Sequence, residues 1–339
     1  MSDKVTSLDV ARRAGVSQSA VSRVFTKGAS ASQATEKKVR DAAAALGYRP
    51  NVLARSIKTG RSRIIGLVVA YLDNYFYPEA LEKLSNALQA RGYHVLVFMA
   101  SNSRDRVDSV IEEILDYQVD GIIAASVSLG SDLAKQCRAA GVPVIMFNRK
   151  QDEDKVASVT SANFAGGIRV ANFLAAHEPK RIGYIAGWEG ASTQRDREAG
   201  FEYQLKKHGL KIDLKEVGDF NSDRAKDAAR RMFMREDYPD ALFVANDHMA
   251  FNVMDVIRTE AKLRIPEDVK VVGYDDVPPS AWPAYDLTTV RQPANRMAAE
   301  TVELLLSDIE SGEYSDKDIE IDGPLIIRGS APAPKGWKK

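Results

Sequence analysis

The segment Val5–Phe25, VTSLDVARRAGVSQSAVSRVF, decides how the N-terminal part of this chain is read. Thr6 followed three residues later by Asp9 fits a capping box, in which a hydroxyl and a carboxylate satisfy each other's backbone N–H groups. It opens a helix through Leu8, Val10, Ala11 and Ala14. Gly15 breaks that helix, because glycine reaches the positive φ a sharp turn requires. Ser17 can cap a second helix with Val21 and Val24 on one face. Ser32 can cap a third, carrying Val39, Ala42, Ala43 and Leu46, with Gly47 where it should end. The spacing of Ala11, Gly15 and Val21 has a geometric reason. A small residue lets the first two helices approach, a glycine makes the turn, and a valine anchors the second helix from below. This is a helix-turn-helix, whose second helix enters the major groove of duplex DNA. Its outward residues are Gln18, Ser19, Ser22 and Arg23. Glutamine can bond an adenine edge twice, and arginine a guanine edge. A plain three-helix bundle with a polar face is the competing reading.

Charge supports the first reading. The 339 residues hold 47 Lys+Arg and 47 Asp+Glu, a formal charge of +0. Residues 1–63 hold 13 Lys/Arg against 4 Asp/Glu, a surplus of +9, so the other 276 residues carry −9. A small basic module on a larger acidic body suggests a polyanionic partner. The length corresponds to two or three domains, and the 45% apolar and 28% charged shares are those of a globular protein. No apolar run reaches the roughly 18 residues of a membrane span. The single cysteine, Cys137, excludes an internal disulfide, and the first residues show no secretory signal. A cytoplasmic location, associated with the nucleoid through DNA, is the expectation.

Val5–Phe25 closely resembles the start of the lac-repressor (LacI/GalR) family of bacterial transcription regulators, and so does GYRPNVLARSIKTGRS at residues 47–62. The resemblance implies DNA contacts from Ser7, Leu8, Ser17, Gln18, Ser19, Ser22, Arg23 and Ser32 of the head. It also implies a hinge helix in 51–62, with contacts from Asn51, Ala54, Ile57 and Lys58. In the family two such helices enter the minor groove, and the position matching Ile57 wedges between central base pairs. Most members carry leucine there, and isoleucine is stiffer at χ1. Alone, 51–58 is too short for a stable helix.

From Ile64 the pattern changes to short, nearly continuous apolar strands alternating with helices. Strands are read at 63–69, 94–99, 121–125, 142–147, 181–186, 241–245 and 269–274. Helices are read at 78–91, 105–117, 133–140, 163–176, 195–208, 224–234, 248–259 and 293–311. Continuous apolar strands indicate parallel sheets buried on both faces. The expected fold is an all-α helix-turn-helix head on an α/β body. The body resembles the two-lobed, periplasmic-binding-protein-like (type I) ligand domain of the same family. By that resemblance the domains are a head at 1–50, a hinge at 51–62 and a body at 63–339. The N-lobe is about 63–160 with 291–321, and the C-lobe about 161–290 with 322–332.

Ligands of open α/β sheets sit beyond the carboxyl ends of strands. Tyr75, Phe76, Asn148, Arg149, Phe220, Asn246 and Asp275 fall after strands, and Arg197 in the segment after 181–186. The resemblance implies effector contacts at Phe76, Asn148, Arg197, Phe220, Asn246 and Asp275. Rings that pack on C–H faces, together with Asn, Asp and Arg, favour a hydroxylated ligand, a sugar or sugar derivative. Arg149 with Arg197 can also meet a carboxylate or phosphate. Each residue has a plainer reading: Asp275 or Asp247 as caps, Phe76 and Phe220 as core rings, Asn148 as a loop residue. Some relatives carry an acid at the position of Asn148, so ligand identity does not transfer.

Nucleophile, metal and nucleotide motifs are absent: there is no GxSxG, HExxH, P-loop or GxGxxG. No cofactor is expected. His94, His177, His208 and His248 are scattered, and the C-terminal tail has no heptads. The sequence therefore predicts a homodimeric repressor that reads palindromic operator DNA and answers to a small sugar-like molecule. A transport-type sugar-binding protein and an enzyme on the same lobes are the rivals.

Overall fold

The computed structural model describes residues 5–26, 29–49, 61–100, 104–127, 131–151 and 156–337. Residues 1–62 and 63–339 form two compact units. The first unit holds three helices, α1 (Ser7–Ala14), α2 (Gln18–Val24) and α3 (Gln33–Leu46). Each starts on the cap the sequence predicts. Thr6 and Asp9 form the reciprocal box, and the Ser17 and Ser32 hydroxyls accept from Ala20 N and Thr35 N at 3.2 Å each. Gly15 and Gly47 end α1 and α3 at φ 65° and 64°, a left-handed backbone that glycine adopts without a Cβ clash. Val10, Ala11, Val21, Val24, Val39, Ala42 and Ala43 form the core.

The second unit contains two six-stranded sheets. The first is built from β1 (Ile64–Val69), β2 (His94–Met99), β3 (Gly121–Ala125), β4 (Val144–Phe147), β5 (Ser158–Ser161) and β11 (Asp318–Ile321). Its order is β11-β5-β4-β3-β1-β2, all parallel. Helices α4 (Phe76–Ala90), α5 (Arg104–Asp116) and α6 (Ser131–Ala139) connect its strands. The second sheet uses β6 (Ile182–Ala186), β7 (Leu214–Val217), β8 (Ala241–Val244), β9 (Lys270–Asp275), β10 (Thr288–Arg291) and β12 (Leu325–Ile326). Its order is β12-β10-β9-β8-β6-β7, with only the short β12 antiparallel. Its helices are α7 (Asn163–Ala175), α8 (Ser192–Lys207), α9 (Ser222–Phe233) and α10 (Asp247–Thr259). The last helix, α11 (Ala294–Ser311), packs on α4 and on β3–β5 of the first lobe.

Central strands β3, β6 and β8 are buried at every residue, as their unbroken apolar runs require. Five strands escape the sequence reading: β5, β7, β10, β11 and β12. They are only two to four residues long, and β5 (SVTS) and β10 (TTVR) are largely polar. Four of the helices, α4, α6, α8 and α9, start two or three residues earlier than the apolar pattern indicates; α8 begins at Ser192 rather than Arg195.

The chain passes between the lobes three times: after β5, after β10 and after β11. The passages are bonded to one another. Ala162 N donates to Ile321 O at 3.0 Å, and Arg291 N to Pro324 O at 2.9 Å. Gly323 lies so close to Arg291 that a Cβ there would sit 1.9 Å from its carbonyl oxygen.

Helices α7 and α8 approach through glycine. A Cβ on Gly167 would lie 2.2 Å from Arg197 O, and one on Gly200 would lie 2.0 Å from Phe164 O. Backbone cannot yield as a flexible side-chain tip can, so the helices must part if either glycine gains a methyl. Gly200→Ala is expected to cost about 1–3 kcal/mol through overpacking. Urea unfolding measures this, and an unchanged midpoint would contradict the close-approach reading.

Candidate functional site

Two regions carry functional side chains, one in each unit. In the head, α2 buries Val21 and Val24 and exposes Gln18, Ser19, Ser22 and Arg23, as its spacing predicts. Gln18 Nε2 donates to Ser7 Oγ at 2.9 Å, which ties the start of α2 to the start of α1. Leu8 is exposed despite being apolar. Ser17 and Ser32 are helix caps, so their hydroxyls are already engaged with backbone. Asn51, Ala54, Ile57 and Lys58 lie outside the described residues.

In the body, the cleft between the lobes is built at the carboxyl ends of strands. Backbone strain collects there. Ser126 after β3, Asn148 after β4, Asp219 and Phe220 after β7, and Asp275 and Asp276 at the end of β9 all have positive φ, although none is glycine. Each such residue costs on the order of 1–3 kcal/mol, and it persists where the surroundings over-determine it. Phe220, at φ 55°, lays its ring against Gly187, where a Cβ would fall 2.2 Å from the ring.

One cluster centres on Arg197, which is 2% exposed. Its Nε donates to Asn163 Oδ1 at 2.9 Å and its Nη1 to Ala245 O at 2.5 Å. Nη2 lies 3.6 Å from Asp275 Oδ1, and the guanidinium rests over the Tyr274 ring at 3.7 Å. Asp275 also accepts from Gln292 Nε2 at 2.7 Å and from Asn74 of the other lobe. Beneath it, Asp247 accepts from Val277 N, Ser280 Oγ and Thr289 Oγ1. Asp247 is therefore a buried brace and not a helix cap. The cap of α10 is Asn246, whose Oδ1 accepts from Met249 N at 3.0 Å.

A second cluster centres on Tyr77, which sequence reasoning missed. Its hydroxyl meets Ser126 Oγ, and Asn148 Nδ2 donates to it at 3.0 Å. Arg149 Nη1 donates to Ser126 O at 2.8 Å, and its guanidinium lies 5.4 Å from the Trp188 ring of the other lobe. The lobes also meet where Lys150 N donates to Ser192 Oγ at 3.0 Å and Lys150 Nζ reaches Asp196 at 3.2 Å. Phe76 is fully buried and stacked on Phe147 with centroids 6.2 Å apart, so it supports the cleft from the core. Tyr75 is 47% exposed. Tyr71, Trp188 and Phe220 are half-buried.

Three buried atoms of this cleft have no hydrogen-bond partner: Asn148 Oδ1, Arg149 Nε and Gln292 Oε1. Two are acceptors and one is a donor. Such atoms are rare in native interiors because each carries an uncompensated desolvation cost. Gln292 was illegible in the sequence because it follows β10, a strand the apolar pattern does not reveal. Among the described residues no group of three or more metal-ligating side chains is present, and no helix is long and apolar enough to cross a membrane.

A helix-turn-helix head joined to a two-lobed body with a polar cleft defines a ligand-responsive DNA-binding regulator. Known proteins agree. Residues 6–51 match the model of the bacterial regulatory proteins of the lacI family, and residues 171–331 match a periplasmic binding protein-like domain. The ribose operon repressor of Escherichia coli (strain K12) is 30% identical over 329 residues, covering 96% of this chain and 99% of that protein. The HTH-type transcriptional repressor PurR of Aliivibrio salmonicida is 29% identical over 325 residues, covering 95% of this chain and 97% of that protein. A lac repressor dimer bound to operator and the anti-inducer ONPF superimposes with a TM-score of 0.88 at 27% identity, covering 98% of this chain and 100% of that one. The regulator CelR in complex with cellobiose gives 0.73 at 29% identity, covering 96% and 100%. The chain belongs to the lacI family of bacterial regulatory proteins, and it is a transcription regulator rather than an enzyme.

Burial raises the Asp275 carboxyl above the ordinary carboxylate range; Arg197 pulls it down and Asp247 pushes it up. A carboxyl raised in the folded chain holds its proton more tightly there than in the unfolded chain. This group's contribution to stability therefore falls as pH rises from about 4, the unfolded value, through the folded one. Asp275→Asn removes the titration. Its stability relative to wild type is expected to climb by up to roughly 1 kcal/mol per pH unit across that window. Thermal melts from acid to neutral pH test this, and parallel wild-type and variant profiles would contradict it.

Proposed function

We propose that this regulator binds a palindromic operator as a homodimer and represses transcription under the control of a small hydroxylated molecule held between its lobes. Two-fold DNA is read by a two-fold protein, so each head takes one half-site. Gln18, Ser19, Ser22 and Arg23 of α2 face base edges. Ser7, Leu8, Ser17 and Ser32, at or near helix starts, approach the phosphates, where backbone N–H groups and helix dipoles favour anions. Asn51, Ala54, Ile57 and Lys58 act in the hinge, with Ile57 as the minor-groove wedge. The domains are the head at 1–50, the hinge at 51–62 and the two-lobed body at 63–339.

The cleft takes the effector through Tyr75, Asn148, Arg149, Arg197, Phe220, Asn246 and Asp275, with Phe76 shaping it from behind. The observation that carries this reading is the trio of unpartnered atoms on Asn148, Arg149 and Gln292. A hydroxyl both donates and accepts, so a polyol can satisfy two acceptors and one donor in one molecule. Half-buried Tyr71, Trp188 and Phe220 supply faces for its C–H surfaces. Among the relatives, CelR is described in complex with cellobiose, which is consistent with a sugar-like ligand. Ligand contacts to both lobes favour one lobe arrangement over another, and that bias reaches the hinge and the heads.

A gel shift on the chain's own promoter region tests the DNA reading. Arg23→Ala is expected to lose about 1–3 kcal/mol of sequence discrimination while its melting curve stays that of wild type. Equal specific affinity in the variant would remove α2 as the recognition helix.

A further inference from the structure

We infer that the ligand of the cleft is a sugar acid, a polyhydroxylated carboxylate whose carboxylate group docks on Arg149. This rests on the reading of the cleft as a site for a hydroxylated effector, and it adds the charge of that effector.

Arg149 is 2% exposed, and among the described residues the groups it bonds or stacks on are neutral. Nη1 donates to the Ser126 carbonyl at 2.8 Å, Nη2 reaches the Tyr71 hydroxyl at 3.4 Å, and the Trp188 indole lies 5.4 Å away. Nε has no acceptor at all. The other cations of the cleft already have carboxylates. Arg197 faces Asp275 at 3.6 Å, and Lys150 reaches Asp196 at 3.2 Å and Glu320 at 3.5 Å. Among the described residues, Arg149 is thus a buried cation with no carboxylate within ion-pair distance. A guanidinium cannot shed its proton, so its charge must be met by another group.

The direction of the unmet valence narrows the partner. Nε and Nη2 lie on one edge of the guanidinium. Nε is an empty donor and Nη2 makes one long, weak bond, while Nη1 makes a short bond to the Ser126 carbonyl. Two parallel donors on one edge match the two oxygens of a carboxylate. One fork, with its neighbouring cations already neutralised, balances one negative charge. A phosphate near neutral pH brings almost two. The remaining unpartnered atoms, Asn148 Oδ1 and Gln292 Oε1, are acceptors. They repel further anionic oxygens and take hydroxyl donors. The cleft therefore supplies one carboxylate fork beside acceptors for a hydroxylated chain.

Titration calorimetry on the full-length protein tests this with matched pairs: hexonates and hexuronates, each against the neutral alditol or aldose of the same hydroxyl configuration, with glucose 6-phosphate and sodium acetate alongside. At least one sugar acid is expected to bind on the order of 100-fold more tightly than its neutral partner, the scale of a buried charge pair losing one member. Arg149→Gln should abolish that preference and Arg149→Lys should retain part of it. The wild-type comparison stands even if a variant fails to fold. Neutral sugars binding as tightly as their acids, or a preference that persists in Arg149→Gln, overturns the inference and leaves the hydroxylated-ligand reading intact. A sugar phosphate that outbinds every sugar acid overturns the single-charge assignment, and acetate binding as tightly as the best acid overturns the role of the hydroxyls. No binding by any hydroxylated compound overturns both readings.

Discussion

The body depends on one buried guanidinium. Arg197 projects from α8 and holds groups from three other places: Asn163 at the first passage between lobes, the carbonyl of Ala245 after β8, and Asp275 at the end of β9. Asp275 extends the chain to Gln292 at the second passage and to Asn74 of the opposite lobe. A buried ion pair is a poor source of net stability, because desolvation offsets most of its attraction. Its value here is geometric. Arg197 reaches these partners only because α8 lies against α7 at a distance that glycine alone allows. The passages between the lobes are thus bonded to the groups proposed to meet the ligand.

Stability and function are divided along the strands. The central strands β3, β6 and β8 are apolar and fully buried, and they hold the two sheets. Gathered at the carboxyl ends of the strands are six of the left-handed non-glycine residues, the buried pair Arg197 and Asp275, and the unpartnered atoms of Asn148, Arg149 and Gln292. Ser126, Asn148, Asp219, Phe220, Asp275 and Asp276 each adopt a backbone that an L side chain disfavours, and all of them lie at these ends. The strain and the desolvation are tolerable because the cores beneath them, from Leu67 and Phe147 in one lobe to Tyr184 and Phe243 in the other, are closely packed.

Much of this was legible in the sequence, for identifiable reasons. The head was readable because caps and turn glycines act within a few residues: Thr6 with Asp9, Ser17, Ser32, Gly15 and Gly47 stand where local chemistry puts them. The central strands were readable because burial on both faces leaves an unbroken apolar run. Strands β5, β7, β10, β11 and β12 were not, because they are only two to four residues long, and β5 and β10 are largely polar while β7 and β11 mix apolar with charged residues, so no unbroken apolar run marks them. The same limit governed the cleft. Asn148, Arg149 and Asp275 follow legible strands, so their position marks them as candidates. Gln292 follows an illegible one, and Tyr77 lies in the first turn of α4, ahead of the helix read at 78–91. Phe76, adjacent to it, turned inward to Phe147. That Asp247 braces Ser280 and Thr289 was likewise beyond local reading, since those partners lie 33 and 42 residues away.

The central claim is that occupancy of this cleft and DNA binding by the heads are two sides of one equilibrium. Thermodynamic linkage makes that directly measurable. Operator affinity is determined with and without saturating ligand, and ligand affinity is determined with and without saturating operator. The account predicts that both change, by the same factor and in the same direction, on the order of 5–150-fold. Ligand binding that leaves operator affinity unchanged would contradict it.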